Sequence, residues 1–175
     1  LYAIAVADYL SFSADHIRKG LHHYRRPRSR LIVHVLKNDI RIIDDSYSSN
    51  PSAAKAALET LDSLPGNKKI AVLGSMLEMG KYSATGHEEV GQYLAAKKVD
   101  FLITYGEAAR QIGKGAINSG FPSQRVTHVS SLKALRRHLI PIIEPRTTIL
   151  FKASHKLNLN YLCRYLIKHY KKKKS

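Results

Sequence analysis

Three short stretches hold the side chains that could do chemistry. The first, Asp44-Asp45-Ser46-Tyr47-Ser48-Ser49-Asn50-Pro51, follows the apolar run Ile40-Arg41-Ile42-Ile43, which reads as a buried strand. Pro51 sits where a helix begins its first turn. Two carboxylates, short hydroxyls, a ring and an amide are thus left at the carboxyl end of a strand, where open α/β sheets bind ligands. A carboxylate offers acceptors only, so it suits a ligand group that donates. The second stretch repeats the layout, with strand Lys69–Leu73, a turn at Gly74, and Glu78 just beyond. The third is the basic segment His22-His23-Tyr24-Arg25-Arg26-Pro27-Arg28-Ser29-Arg30. Its last guanidinium is a fork suited to phosphate oxygens, and its charge does not titrate.

Such turns need a scaffold that sets strand ends side by side. After a strand at 31–36, a hairpin turn at Lys37-Asn38-Asp39 and a strand at 40–43, the pattern alternates in the βα manner. Helices are expected at about 51–63, 84–97, 107–118, 130–139 and 158–170. The strands between them are expected at about 69–74, 100–105, 126–128 and 147–152. The fold class is therefore α/β: a Rossmann-like three-layer domain, its sheet mainly parallel with an antiparallel hairpin at one end. Two short helices precede it, one over 1–10 and a second capped by Ser13 and ending near Gly20.

The blocks Asp44-Asp45-Ser46-Tyr47-x-x-Asn50-Pro51, then Leu73-Gly74-x-Met76-Leu77-Glu78-Met79-Gly80, then His87-Glu88-Glu89-Val90-Gly91 resemble the carboxy-terminal domain of the Mur ligases. Within that family they are most similar to the MurF branch, and the likeness runs from about Leu1 to Lys168. The resemblance implies a cytoplasmic, ATP-dependent carboxylate–amine ligase that adds D-alanyl-D-alanine to UDP-N-acetylmuramoyl-tripeptide in peptidoglycan precursor synthesis. It implies residues 1–26 as tail helices of a central ATPase domain with a linker, and 27–175 as the carboxy-terminal domain. ATP and Mg2+ would be bound mainly by the central domain, since no G-x-x-x-x-G-K-[ST] occurs here. Gly113-Lys114-Gly115 lacks the earlier glycine and the hydroxyl, so the chain alone is expected to be inactive.

By the same resemblance, Arg30 contacts ATP, Asp45 accepts from ribose hydroxyls, and Tyr47 and Asn50 line the adenine side. Lys152, Ser154 and His155 lie in a turn that faces the peptide substrates, joined by Glu78. The chain departs from the family pattern at several places. Ser29 replaces a glycine and is expected to stiffen the hinge. Ser48 replaces an amide, and Ser75 an acidic residue. Ala153 replaces a glycine, at a position where positive φ would be poorly tolerated, and His155 replaces an arginine. His87 opens a helix, where a lone histidine is more often structural than catalytic. Two other readings stay open: a relative with a different amine substrate, such as a folylpolyglutamate-like ligase, and a non-catalytic Rossmann-like domain that binds nucleotide or nucleic acid.

Composition narrows the classes. At 175 residues and 44% apolar content, one domain can bury a normal core. No apolar run approaches the roughly 20 residues that cross a bilayer. No basic leader precedes Leu1, and the absence of an initiator Met together with an opening inside a helix reads as a piece of a longer protein. Cys163 is the single cysteine, so it forms no internal disulfide and reads as a buried, inert thiol. No metal site is expected from the histidines, as His22 and His23 lack spaced partners. The formal charge of +16 attracts anions of any kind. No nucleic-acid motif appears, however, and the cations are spread over many elements, which argues against a nucleic-acid partner. The run Lys171–Lys174 reads as a solvated helix end.

Overall fold

The structure, a computed structural model, describes residues 2–24 and 29–171. The linker arginines at 25, 26 and 28 and the lysines at 172–174 lie outside the described residues. Aliphatic and β-branched runs form β1 (Ile32–Val35), β2 (Arg41–Asp45), β3 (Lys68–Gly74), β4 (Phe101–Tyr105), β5 (Val126–Val129) and β6 (Thr147–Lys152). They make one sheet in the order β1-β2-β6-β3-β4-β5. Every neighbouring pair is parallel except β1–β2 at the edge, as the sequence pattern predicts. β6 is buried along its whole length and β3 along nearly all of it, because helices cover both faces of the sheet.

Helices α3 (Pro51–Ser63), α4 (Ser83–Ala95) and α5 (Arg110–Asn118) cover one face, and α6 (Leu132–Leu139) and α7 (Leu159–His169) cover the other. Alternation along the strands divides the core accordingly. Ile43, Ala71, Leu73, Leu102 and Leu150 face the first layer, while Ile42, Ile70, Val72, Ile103, Ile149 and Phe151 face the second. Between α4 and α5 two glycines set the distance. A Cβ on Gly91 would lie 2.0 Å from the Ile112 carbonyl oxygen, and one on Gly115 would lie 2.3 Å from that of Glu88.

Ahead of the sheet stand α1 (Tyr2–Tyr9) and α2 (Ala14–His23). Ser13 caps α2 as expected, its hydroxyl accepting from the His16 N–H at 3.3 Å. The helix does not stop at Gly20, however. It runs to His23, whose Nδ1 lies 2.7 Å from the Lys19 carbonyl, so His22 and His23 are helical rather than linker. One glycine costs a helix about 1 kcal/mol, too little to end it. The turn after β1 is a 3-10 turn, Lys37–Asp39. Asn38 (φ 58°) and Asp39 (φ 57°) are left-handed there, a conformation their short polar side chains favour. The expected helix at 107–118 also divides into a 3-10 turn, Glu107–Ala109, followed by α5.

Candidate functional site

At the carboxyl ends of β2, β3 and β6 the two acidic turns meet the loop after β6. The adjacent carboxylates Asp44 and Asp45 shape the segment before β1. Ser29 Oγ donates to Asp44 Oδ2 at 2.9 Å, and the Leu31 N–H donates to Asp45 Oδ1 at 3.0 Å. Tyr47 N–H closes the loop onto the Ser29 carbonyl at 3.1 Å. Ser29 (φ 58°) and Leu31 (φ 50°) both sit in the left-handed region, which costs a non-glycine residue about 1–2 kcal/mol each. Two buried or half-buried carboxylates therefore hold a strained turn. That turn carries Arg30, whose guanidinium stands 4.6 Å from the centre of the Tyr47 ring. Ser29, at the family's glycine position, keeps the glycine-like φ and exchanges freedom for a side-chain tether.

Lys152 is not a surface cation. It is 2% exposed, and its Nζ lies 2.8 Å from Asp45 Oδ2 and donates to the Ser48 carbonyl at 2.7 Å. It locks β6 to the β2 turn rather than projecting toward a substrate. Asp45 consequently has a partner on each oxygen, and each oxygen retains one further acceptor site. Asn50 caps α3, its Oδ1 accepting from Ala53 N–H at 2.8 Å and Ser52 Oγ at 2.9 Å. Only its NH2 group remains for a ligand. Ser154 Oγ accepts from Leu77 N–H at 2.9 Å, which ties the β3 turn to the β6 turn.

Two cavities open where these turns converge. One, of about 350 Å3, is lined by Ser29, Arg30, Ser46, Tyr47, His155, Asn160 and Arg164. The other, of about 420 Å3, is lined by Tyr47, Ser48, Ser49, Leu77, Glu78, Ser154, His155 and Lys156. Tyr47 and His155 belong to both. Their rings meet edge to face with centroids 5.4 Å apart, so the pair is the wall between the cavities. Arg30 and Glu78 are thus brought to adjacent spaces, whereas Asp45, Lys152 and Asn50 line neither. Glu78 is exposed at φ 65°, its carboxylate 3.5 Å from Lys156 Nζ.

The structure also places the departures from the family pattern. Ser75 is buried and turned inward, its hydroxyl accepting from Ala109 N–H at 3.1 Å, so it braces the β4 turn. The expected conflict at Ala153 does not arise, because this residue adopts no positive φ. Its methyl group instead fills the space above Gly74, where a Cβ would come within 2.5 Å of it. His87 is buried, with Nε2 accepting from Met76 N–H at 2.8 Å and Nδ1 lying 2.5 Å from the Ser83 carbonyl. A carbonyl only accepts and an amide N–H only donates, so the ring is neutral with its proton on Nδ1. Burial pulls its pKa below the ordinary value. Cys163 is buried too, and burial with the nearby Asp44 carboxylate pushes its thiol pKa far up, consistent with an inert thiol. Asn160 and Arg164, both on α7, line the first cavity although no motif in the sequence marks them. Their i, i+4 spacing on a helix that follows the β6 turn was the available signal.

The family model for "Mur ligase, glutamate ligase domain" matches residues 28–155. The chain belongs to the Mur ligase family. Among its relatives, the UDP-N-acetylmuramoyl-tripeptide–D-alanyl-D-alanine ligase of Bacillus subtilis is 34% identical over 94% of this chain and 36% of the relative. MurF from Acinetobacter baumannii superposes with a TM-score of 0.80 at 28% identity, over 95% of this chain and 36% of that one. MurF from Thermotoga maritima, solved in complex with ADP, gives a TM-score of 0.70 at 25% identity, over 95% of this chain and 37% of that one. This Mur ligase domain spans a little over a third of the length of the relatives it matches.

Proposed function

We propose that this domain is the carboxy-terminal part of an ATP-dependent ligase that joins D-alanyl-D-alanine to UDP-N-acetylmuramoyl-tripeptide in cytoplasmic peptidoglycan precursor synthesis. The observation that carries the reading is the pair of cavities sharing the Tyr47–His155 wall, one edged by a guanidinium and the other by a carboxylate. On this reading the first cavity takes part of the nucleotide. Arg30 forms no ion pair among the described residues, so its fork is available to phosphate oxygens. Tyr47, with Arg30 over one face of its ring, offers the opposite face to the base. Asp45 lies behind the lining of that cavity, where it positions the Arg30 turn through Leu31 N–H and keeps lone pairs for a ribose hydroxyl that reaches past Ser46.

The second cavity takes the incoming amine, with Glu78 facing its ammonium group. Lys152 acts as the positioning residue that sets Asp45 and Ser48, and Ser154 sets the Leu77–Glu78 turn. A cavity of about 350 Å3 holds only part of a nucleotide, which fits a shared site completed by another domain. No cluster of three or more His, Cys, Asp or Glu suited to a metal occurs among the described residues. Mg2+, which would spread charge on the transferring phosphate, is assigned to ligands of the central ATPase domain, in line with the absence of a G-x-x-x-x-G-K-[ST] stretch here. Residues 1–26 are assigned to the tail of the ATPase domain.

The test is phosphate release by the full-length protein with ATP, Mg2+, UDP-tripeptide and a panel of amines. Release that requires D-alanyl-D-alanine supports the proposal, and none with any amine overturns it. Arg30→Gln should raise KM for ATP about tenfold, about 1.4 kcal/mol, and leave KM for the dipeptide unchanged. Glu78→Gln should do the reverse.

A further inference from the structure

The two helical layers differ sharply in charge. Residues 51–118, which build α3 to α5, hold eight Lys and Arg against seven Asp and Glu. Residues 126–171, which build β5, α6, β6 and α7, hold nine Lys and Arg against one acid, Glu144, which is taken by Lys68 at 2.9 Å. Lys152 is buried on Asp45 and Lys156 pairs with Glu78, which leaves seven cations. Lys133 and Arg137 on α6, with Arg164, Lys168 and Lys171 on and just past α7, are exposed and form no ion pair among the described residues. Their i, i+4 and i, i+3 spacings put one row of cations on each helix. A shallow bowl of about 750 Å3 runs along α6, with Lys133, Arg136 and Arg137 at its rim and Ala134, Ile140 and Pro141 as its floor. Tyr161, on α7, is 62% exposed.

Unpaired cations on alkyl stems, an apolar floor on α6 and an exposed tyrosine on α7 match a surface in which phosphates overlie hydrocarbon. We propose that the α6–α7 face docks on an anionic phospholipid membrane surface. Single-stranded nucleic acid fits this face less well because it needs successive aromatic faces on which bases stack, and Tyr161 is a single exposed ring. The Tyr165 ring is already covered by Arg136 at 4.1 Å and stacked on His169 at 5.9 Å, and Tyr170 meets His169 edge to face at 4.9 Å. The proposal is independent of the ligase reading, since none of its test residues lines either cavity.

The experiment is sedimentation of the full-length protein with vesicles of phosphatidylcholine alone or mixed with phosphatidylglycerol, and in parallel titration of fluorescent single-stranded and duplex DNA. Binding to the phosphatidylglycerol vesicles only, and its loss in high salt, is expected. Each removed cation should lower partition about fivefold, following about 1 kcal/mol per basic residue near the surface. The variant Lys133→Gln/Arg137→Gln/Lys168→Gln/Lys171→Gln should therefore lose several hundredfold. A charge-matched control, Lys81→Gln/Lys98→Gln/Lys114→Gln/Arg125→Gln, should stay within a fewfold of wild type. Equal loss in both variants overturns the proposal in favour of net charge without a face. So does equal binding to both vesicle types, or binding to DNA without binding to vesicles.

Discussion

On one side of the sheet α4 and α5 touch backbone to backbone at Gly91 and Gly115, and the surface charges above them are balanced. There Lys55 pairs with Glu89 at 3.1 Å and Lys97 with Glu59 at 2.6 Å. On the other side α6 and α7 bury Leu135, Leu139, Leu159, Leu162 and Leu166, yet leave an open bowl and a nearly acid-free surface above them. The apolar faces of the two layers obey the same rule, while their outer faces do not. Core formation thus constrains only the inner half of each helix, and the outer half is free to record something else.

Substitutions on the two sides test this contrast. The largest effect is expected at the glycine contact. Gly91→Leu should destabilise the domain by about 3 kcal/mol or more, because the helix backbones must separate, and should lower Tm by roughly 6–12 °C. Ala134→Leu, facing the bowl on the other side, should change stability by less than about 0.5 kcal/mol. Comparable losses from the two in calorimetry would mean that the layers are equally tight.

A smaller effect separates the faces by pH. His87 and His128 both lie in the balanced layer, and burial lowers the pKa of each, with Arg110 adding to the effect at His128. A depressed histidine pKa means that the unfolded chain binds more protons, starting near its ordinary value of about 6.5. Stability should be full above that pH and fall as the pH drops toward the folded-state value. His87→Phe should cost about 1–3 kcal/mol at neutral pH, since Met76 N–H loses its acceptor, and should flatten part of the acid slope. Denaturant melts at pH 5 and pH 7.5 would show it, and an unchanged slope would remove His87 as a source.

The smallest effects belong to the outer surfaces. Arg136→Ala, which uncovers the Tyr165 ring and removes the 2.7 Å bond to its hydroxyl, should cost about 0.5–1 kcal/mol. Lys55→Gln, at an exposed pair, should cost about 0.5 kcal/mol or less. If the order is reversed in urea melts, the ion pairs of the balanced face contribute more than their exposure implies.

The fold was largely legible. Aliphatic runs of strand length alternating with helical patterns specified the parallel sheet, and Pro51 with Asn50 marked the start of α3 to the residue. The structure departs from the sequence pattern at ends set by local hydrogen bonds, such as the extra turn of α2 beyond Gly20 and the 3-10 turn that precedes α5. In the site, the turns were legible, but which of their side chains stay open to a ligand was not. Lys152 reads as a cation free for a ligand because a side chain's depth depends on neighbours distant in sequence. Here those neighbours are Asp45 and the Ser48 carbonyl. Ser75 and His87 likewise read as loop and helix-end groups until Ala109 and Met76 take up their polar atoms.

From its sequence alone the chain declares its family, its alternation of strands and helices, and the turns after β2, β3 and β6 that carry the candidate site residues. These follow from periodicity and local turn chemistry, which act over a few residues. Three features belong to the tertiary structure: the division of one site into two cavities by Tyr47 and His155, the burial of Lys152, and the gathering of scattered cations on the α6–α7 face. Each joins residues far apart along the chain, and only the packing of helices on a twisted sheet decides which of them share a surface.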